Sequence, residues 1–201
     1  IIKNCFGSKG SGLFKGWLWL LFVLFIWQCA GTNYQRMATD DPEALIAIED
    51  SISKKGLSSL PLGALLLAHN NVGLAALESA NYEIAHQHFS HARRLSEEDT
   101  TAHYNLLITE AHILYRQGNK DGIWAAIQKY NKAALLKPNL GEPYYYIGLS
   151  YHKLGDTDFD LIIESYEKAL SLDVDPLVRS KVENVKSQAA SRNKLLKEFW
   201  N

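Results

Sequence analysis

The fold is most constrained by three short runs of apolar side chains, each spaced to lie on one face of a helix. In each run an apolar residue is followed by an aromatic residue four positions later and by an alanine three positions after that. Spacings of three and four residues place such side chains on the same side of a helix. The runs are Ala85, Phe89 and Ala92; Ala126, Tyr130 and Ala133; and Ile162, Tyr166 and Ala169.

Another helix is predicted before each of these runs, so that each run completes a helix hairpin. In the last hairpin the first helix carries Gly148, which has no Cβ and lets the second helix approach closely. Gly155 stands where the C-cap of that first helix is expected. Four of the five prolines fall where helices begin or end, at Pro61, Pro138, Pro143 and Pro176. The sequence therefore predicts an all-α protein.

The hairpins resemble the tetratricopeptide repeat (TPR) family, whose 34-residue repeat has small and large residues at these positions. The resemblance implies a right-handed superhelical stack of about three repeats which, with flanking capping helices, forms one domain over residues 41–200. The middle repeat departs from the pattern, because Ile108 replaces the glycine and the turn from Tyr115 to Gly122 is enlarged. The repeats are predicted at residues 66–99, 100–140 and 141–176.

Capping helices are expected on both sides of the repeats. Asp41 followed by Pro42 is typical of a helix start and predicts a helix over residues 42–55, within an N-terminal capping region at 42–65. An amphipathic pattern over residues 177–200 predicts the C-terminal capping helix that such arrays need. The basic face of this last helix leaves open a contact with anionic lipid or with an acidic partner.

Residues 1–31 are predicted to hold the body of the protein at a membrane. They contain three lysines, no acidic residue and an apolar run from Trp17 to Trp27, with Cys29 just after it. A basic start, an apolar core of about 7–15 residues and small residues after it are typical of a secretory signal. The segment resembles a bacterial lipoprotein signal. This resemblance implies lipidation of Cys29 and a place in the cell envelope, facing the periplasm, at the inner or the outer membrane.

Retention of the apolar segment as an uncleaved membrane helix is the alternative to a cleaved signal. A bilayer-spanning helix needs roughly 20 apolar residues, and the stretch from Leu13 to Ala30 approaches that length. Residues 32–40 follow and are polar without helical periodicity. They are predicted to be a tether between the membrane segment and the repeats.

Charge and composition give little support for nucleic-acid binding or for enzymatic chemistry. The 21 basic and 22 acidic side chains nearly balance, so nucleic acid is not an expected partner. His86, His88 and His91 lie on one helix and two of them have a spacing that can share a metal ion, but they alternate with core residues and are expected on a solvated outer surface. No metal site and no cofactor are therefore predicted. Hydrolase, phosphate-binding and zinc-protease motifs are missing from the sequence, so no enzymatic activity is predicted.

Nine residues are assigned by the TPR resemblance to a concave groove that binds another protein. Asparagine side chains can pair with both donors and acceptors of an extended peptide backbone, and the leucines and the tyrosine offer apolar contact. The alternative is that these residues only cover the inner surface, against the chain's own terminal helix. The nine are Asn70, Leu74, Leu77, Asn105, Thr109, His112, Tyr145, Leu149 and His152.

These features together predict a membrane-anchored extracytoplasmic TPR adaptor or scaffold that binds another protein and helps to assemble or stabilise an envelope complex. One alternative is an accessory subunit of a larger membrane complex, with the N-terminal transmembrane helix retained. Another is an envelope protein that binds a small molecule or a metal ion and supports a transporter through the groove or the histidines.

Overall fold

The computed structural model describes residues 33–56, 58–155 and 159–200, and over these residues the protein is all-α, as predicted. The apolar run and Cys29 lie outside the described residues, so the signal, the lipidation and the membrane helix stay predictions. Backbone contacts divide the chain into two compact units, with the boundary between Ala68 and His69 in the sequence.

The helices of the described residues are numbered in chain order. Residues 33–40 form α1. The others are α2 (Pro42–Ala47), α3 (Glu49–Ser53), α4 (Ser59–Glu78), α5 (Tyr82–Leu95), α6 (Thr100–Gln117), α7 (Lys120–Leu136), α8 (Glu142–Lys153), α9 (Phe159–Leu170) and α10 (Pro176–Trp200).

The segment predicted to be a tether is helical instead. Residues 33–40 form α1, in which the Ala38 side chain is fully buried. Arg36 and Asp40 form an exposed ion pair at 3.1 Å, as the spacing of one helical turn allows. A polar composition does not prevent a helix, because residues such as Gln, Arg and Met have good helix propensity and one small buried side chain gives the helix a packed side.

The helix start predicted at Asp41 is confirmed. Its carboxylate accepts a hydrogen bond from the backbone N–H of Ala44 at 3.1 Å, and Pro42 lies in the first turn. The helix predicted over residues 42–55 is interrupted at Ile48, whose ψ of 6° lies outside the helical region and separates α2 from α3.

α4 is 20 residues long and, by length and composition, apolar enough to cross a membrane, with a mean hydropathy of 1.4 in its most apolar window. The core helix of a soluble protein passes the same test, and the middle of α4 carries His69, Asn70 and Asn71. The helix also runs through the predicted boundary between capping region and first repeat, after residue 65. The first helix of that hairpin therefore begins at Ser59.

From His69 onward the helices pack on their neighbours in chain order. α6 packs against both α5 and α7, α8 packs against both α7 and α9, and α10 packs against α9. Asp99 and Asn119 are the N-caps of α6 and α7, where each side chain accepts a hydrogen bond from a backbone N–H at 2.6 Å. These caps define where the two helices of the middle hairpin begin.

The turn of the middle hairpin is shorter than predicted. The sequence predicts an enlarged turn from Tyr115 to Gly122, but only Gly118 and Asn119 separate α6 from α7. Gly118 has a φ of 75°, which a glycine adopts without steric cost. The additional residues lengthen the helices, which have 18 and 17 residues, whereas α8 and α9 have 12 each.

In the first hairpin and in the last hairpin, a glycine allows close contact between the two helices of the same hairpin. A Cβ at Gly73 would lie 2.6 Å from the Phe89 ring, and a Cβ at Gly148 would overlap the Tyr166 ring. Both rings are fully buried. The close approach predicted at Gly148 is therefore confirmed. In the middle hairpin the equivalent position is the buried Ile108.

α10 covers the last hairpin by packing against α9. Val182 and Ala189 are fully buried in the same apolar cluster as Tyr166. The guanidinium of Arg179 donates to the backbone carbonyls of Leu170 and Leu172 at 3.1 and 3.3 Å. These bonds satisfy carbonyls at the end of α9 that have no partner within the helix.

Candidate functional site

Four of the polar residues predicted to line the concave groove lie in the interior. Asn70, Asn105, Thr109 and His112 each expose at most 7 % of their surface. The Nδ2 of Asn105 donates to Oδ1 of Asn70 at 3.4 Å, and Oγ1 of Thr109 donates to the carbonyl of Asn105 at 2.8 Å. Buried polar groups need such partners. Asn70, Asn105 and Thr109 thus pair with other groups of the protein in this structure.

His112 forms a hydrogen bond with a tyrosine of the same hairpin. Its Nδ1 lies 2.7 Å from the hydroxyl of Tyr130. Burial lowers the pKa of His112 to about 4 and raises the pKa of Tyr130, so at neutral pH the imidazole is uncharged and the phenol keeps its proton. A neutral imidazole can donate or accept at Nδ1, so the tautomer of His112 decides which of the two groups donates in this hydrogen bond.

Aromatic rings continue from His112 into the last hairpin. The His112 ring meets Tyr146 edge to face with 4.4 Å between ring centroids, and Tyr146 stacks on Tyr130 at 5.4 Å. Tyr145 is the next ring, 5.1 Å from Tyr146. These aromatic side chains of α6, α7 and α8 thus pack against one another where the middle hairpin meets the last hairpin.

The two leucines predicted in the groove differ in their surroundings. Leu74 of α4 is 39 % exposed. Leu77, one turn further on, packs against the apolar cluster of the middle hairpin that contains Tyr104. Of these two, only Leu74 offers a largely open apolar surface.

The residues of the last hairpin that were predicted to line the concave groove are more accessible than those of the middle hairpin. Tyr145, Leu149 and His152 are all half-buried. The first two pack against the cluster around Tyr166. The Nε2 of His152 accepts a hydrogen bond from Arg192 of α10 at 3.2 Å. At His152 the inner surface therefore touches the chain's own terminal helix.

A groove that the sequence did not indicate lies between α7, α8 and α9. It has a volume of about 610 Å³, within the usual range for binding sites. Tyr144, Ile147 and Tyr151 form its apolar lining, and Leu161 at its side is 40 % exposed. The Lys168 ammonium lies over the Tyr144 ring at 5.8 Å. In the sequence Tyr144 and Tyr151 have the three- and four-residue spacing of helix-packing residues around Ile147 and Gly148, and this spacing does not distinguish a groove from helix packing.

An acidic corner lies where α8 begins. Glu142 accepts a hydrogen bond from the hydroxyl of Tyr104 at 3.4 Å, and it shares a small pocket with Asp173 and Asp175. Burial, with a smaller effect of the Asp175 charge, raises the pKa of Glu142.

The three histidines predicted on a solvated surface are half-buried instead, and each contacts a neighbouring helix. Nδ1 of His88 lies 3.0 Å from Nδ1 of His69 on α4, and the His91 ring stacks on the His69 ring. His86 is turned to α6, where its Nε2 lies 3.7 Å from a carboxylate oxygen of Glu110. His69 was not predicted to join them, because helical spacing relates only residues of the same helix and His69 lies on α4.

No protein-family model matches this chain, and no curated protein matches it in sequence. The TPR resemblance therefore rests on the repeated residues of the sequence.

Proposed function

We propose that this chain is a membrane-anchored adaptor, built from a TPR-like superhelical stack of helix hairpins, which binds another protein and helps to assemble an envelope complex. Support for the repeat architecture comes from the recurring contact between a glycine on one helix and a ring on the next, at Gly73 with Phe89 and at Gly148 with Tyr166. Stacked hairpins of this kind expose extended surfaces that suit protein partners.

The groove between α7, α8 and α9 is the observation that carries the adaptor proposal. Tyr144, Ile147 and Tyr151 give it an apolar centre, and Glu164 and Lys168 give it a charged rim. An apolar, aromatic-rich centre within a polar rim is the usual composition of a protein-binding surface. An apolar side chain from a partner segment fits this arrangement.

The inner surface of the last hairpin is the second contact region in this proposal. Tyr145 and His152 are half-buried, and a half-exposed tyrosine gives a large contact area with few rotatable bonds. The polar residues of the earlier hairpins pair internally, so this proposal assigns them to stability rather than to the partner.

The proposed location is the periplasmic side of a bacterial membrane, with Cys29 as the lipid attachment point. It is supported by the sequence of residues 1–31 alone. Intact-mass measurement on protein from the membrane fraction tests it, since loss of residues 1–28 with a mass gain at Cys29 is expected. An unmodified N-terminal segment would instead support the accessory subunit with a retained membrane helix.

The adaptor proposal is tested by affinity purification from membranes, followed by binding measurements with the purified partner. Leu161→Lys puts a charge beside the groove and is expected to weaken binding at least about tenfold, because an apolar contact is lost and a charge is desolvated. Leu177→Lys is the matched control, since Leu177 is 76 % exposed on α10, outside the groove. If Leu161→Lys, Leu177→Lys and Tyr145→Ala all bound the partner as tightly as the wild type does, a partner site on the last hairpin would be contradicted.

A further inference from the structure

Three imidazole rings from two helices come together in the first hairpin. His69 of α4 is 4 % exposed, and its Nδ1 lies 3.0 Å from Nδ1 of His88 on α5. The His91 ring stacks on the His69 ring, with 4.3 Å between centroids and 24° between planes. His88 and His91 are one helical turn apart, so α5 presents both to the same residue of α4.

The arrangement differs from that of a histidine serving only as a core residue. His112, which is equally buried, is bonded to a hydroxyl group. Two of the groups close to the His69 ring are themselves imidazoles. Two neutral imidazoles can share one proton between their nitrogens, and the same nitrogens are the commonest metal ligands in proteins.

The distance between the facing nitrogens is close to that of two ligands on one ion. Imidazole nitrogens bind Zn²⁺ at about 2.0–2.1 Å in tetrahedral geometry, which places two of them roughly 3.3 Å apart. The 3.0 Å between His69 and His88 needs to open by only a few tenths of an ångström. Metal ions bind an imidazole through a deprotonated ring nitrogen.

We propose that His69, His88 and His91 bind one transition-metal ion of the class that prefers imidazole, Zn²⁺, Cu²⁺, Ni²⁺ or Co²⁺. His69 and His88 supply the two facing nitrogens, and His91 supplies the third after a side-chain rotation. In the metal-free protein Nη2 of Arg94 lies 3.2 Å from Nδ1 of His91, so the exposed Arg94 side chain moves away on binding. His91 is therefore the weakest of the three ligands.

This metal site is independent of the adaptor function, because the histidines lie in the first hairpin and the groove is formed by helices of the middle and last hairpins. A bound ion would join α4 to α5 through side chains of both helices. It would therefore stabilise the first hairpin in proportion to its affinity and concentration.

The test uses the full chain, freed of metal with a chelator, and titrations with Zn²⁺ by calorimetry and with Co²⁺ by visible absorption. We expect one equivalent to bind and to raise the melting temperature. His69→Gln and His88→Gln are each expected to lower the affinity at least about 100-fold, and His91→Gln about tenfold. His86→Gln is the matched control on the same helix, because His86 is turned to Glu110, and it should bind as the wild type does.

Three results would overturn the proposal. They are the lack of stoichiometric binding by the wild-type chain, binding that survives both His69→Gln and His88→Gln, and an equal loss in His86→Gln. Circular dichroism of the metal-free variants establishes that each is folded. If the buried His69→Gln variant does not fold, the half-buried His88→Gln decides the outcome.

Discussion

In the middle and the last hairpin a tyrosine occupies the same position of the second helix, Tyr130 in one and Tyr166 in the other, and both are fully buried. Tyr130 is bonded through its hydroxyl to His112. The hydroxyl of Tyr166 has no hydrogen-bond partner among the described residues. The facing position also differs, because the Tyr166 ring lies on Gly148.

The difference shows two ways of joining a pair of helices through the same aromatic position. The last hairpin depends on close backbone approach at Gly148, where the ring takes the place of a side chain. The middle hairpin has the buried Ile108 at that position and adds a hydrogen bond within its core. The two hairpins should therefore respond differently to changes in volume and in pH.

The largest expected effect comes from giving the last hairpin the isoleucine of the middle one. Gly148→Ile places a branched side chain where even a Cβ overlaps the Tyr166 ring, and it should lower the free energy of unfolding by about 3 kcal/mol or more. Urea unfolding followed by circular dichroism measures this change.

The control for this substitution is Gly63→Ala in α4. A Cβ there meets no atom within 4 Å, so the alanine should stabilise the protein by up to about 1 kcal/mol through helix propensity. Unchanged stability in Gly148→Ile would show that the last hairpin does not depend on close approach of its two helices. The proposed difference between the last and the middle hairpin would then be wrong.

The next largest effect is a pH dependence that belongs to the middle hairpin. The pKa of His112 is about 4 in the folded protein, below its ordinary value of 6.5, so the unfolded chain takes up this proton first as the pH falls. Stability present above pH 6.5 should therefore decrease down to about pH 4, by about 3 kcal/mol in total. Glu142 acts in the opposite sense, because its pKa is raised.

Urea midpoints measured between pH 7 and pH 4 test this expectation in the wild type and in His112→Gln. The carboxylates are common to both proteins, so the difference between the two curves reports His112. Parallel curves would mean that the buried imidazole is not held neutral, and the middle hairpin would then lack its proposed hydrogen-bonded core.

Local patterns in the sequence were sufficient to predict the helices and part of the packing between them. The spacing that contains Gly148 and Tyr166 predicts which faces meet, because three- and four-residue periods fix a helix face. The start at Asp41 follows from cap chemistry that involves only adjacent residues. Both are local properties, and both appear in the structure.

Contacts between distant polar residues were not predictable in the same way. The TPR resemblance assigned Asn105 and His112 to a groove, but in the structure their side chains are buried and pair with Asn70 and Tyr130 on other helices. Whether a polar residue is buried depends on such partners. His69 was missed for the same reason, since its neighbours lie on α5.

A smaller difference in stability is expected between the phenylalanine variants of Tyr130 and Tyr166. Tyr130→Phe removes the hydrogen-bond partner of His112 Nδ1 and leaves a buried imidazole nitrogen unpaired, which should cost about 1–2 kcal/mol. Tyr166→Phe removes a buried hydroxyl that has no partner among the described residues, so it should leave the stability unchanged or raise it by up to about 1 kcal/mol. Thermal melting of the two variants beside the wild type measures both, and equal costs would remove the distinction between the hairpins.

The smallest expected effect concerns the inner surface of the last hairpin. Arg192 of α10 donates to His152 across an exposed contact, and exposed polar contacts of this kind contribute roughly 0–1 kcal/mol. Arg192→Gln should therefore lower the free energy of unfolding by less than about 0.5 kcal/mol, as measured by urea unfolding beside Tyr130→Phe. A cost above 1 kcal/mol would mean that α10 closes this surface as firmly as Tyr130 and His112 hold the middle hairpin. In that case Tyr145 and His152 would be part of the stable core, and partner binding by the last hairpin would depend on the groove at Leu161 alone.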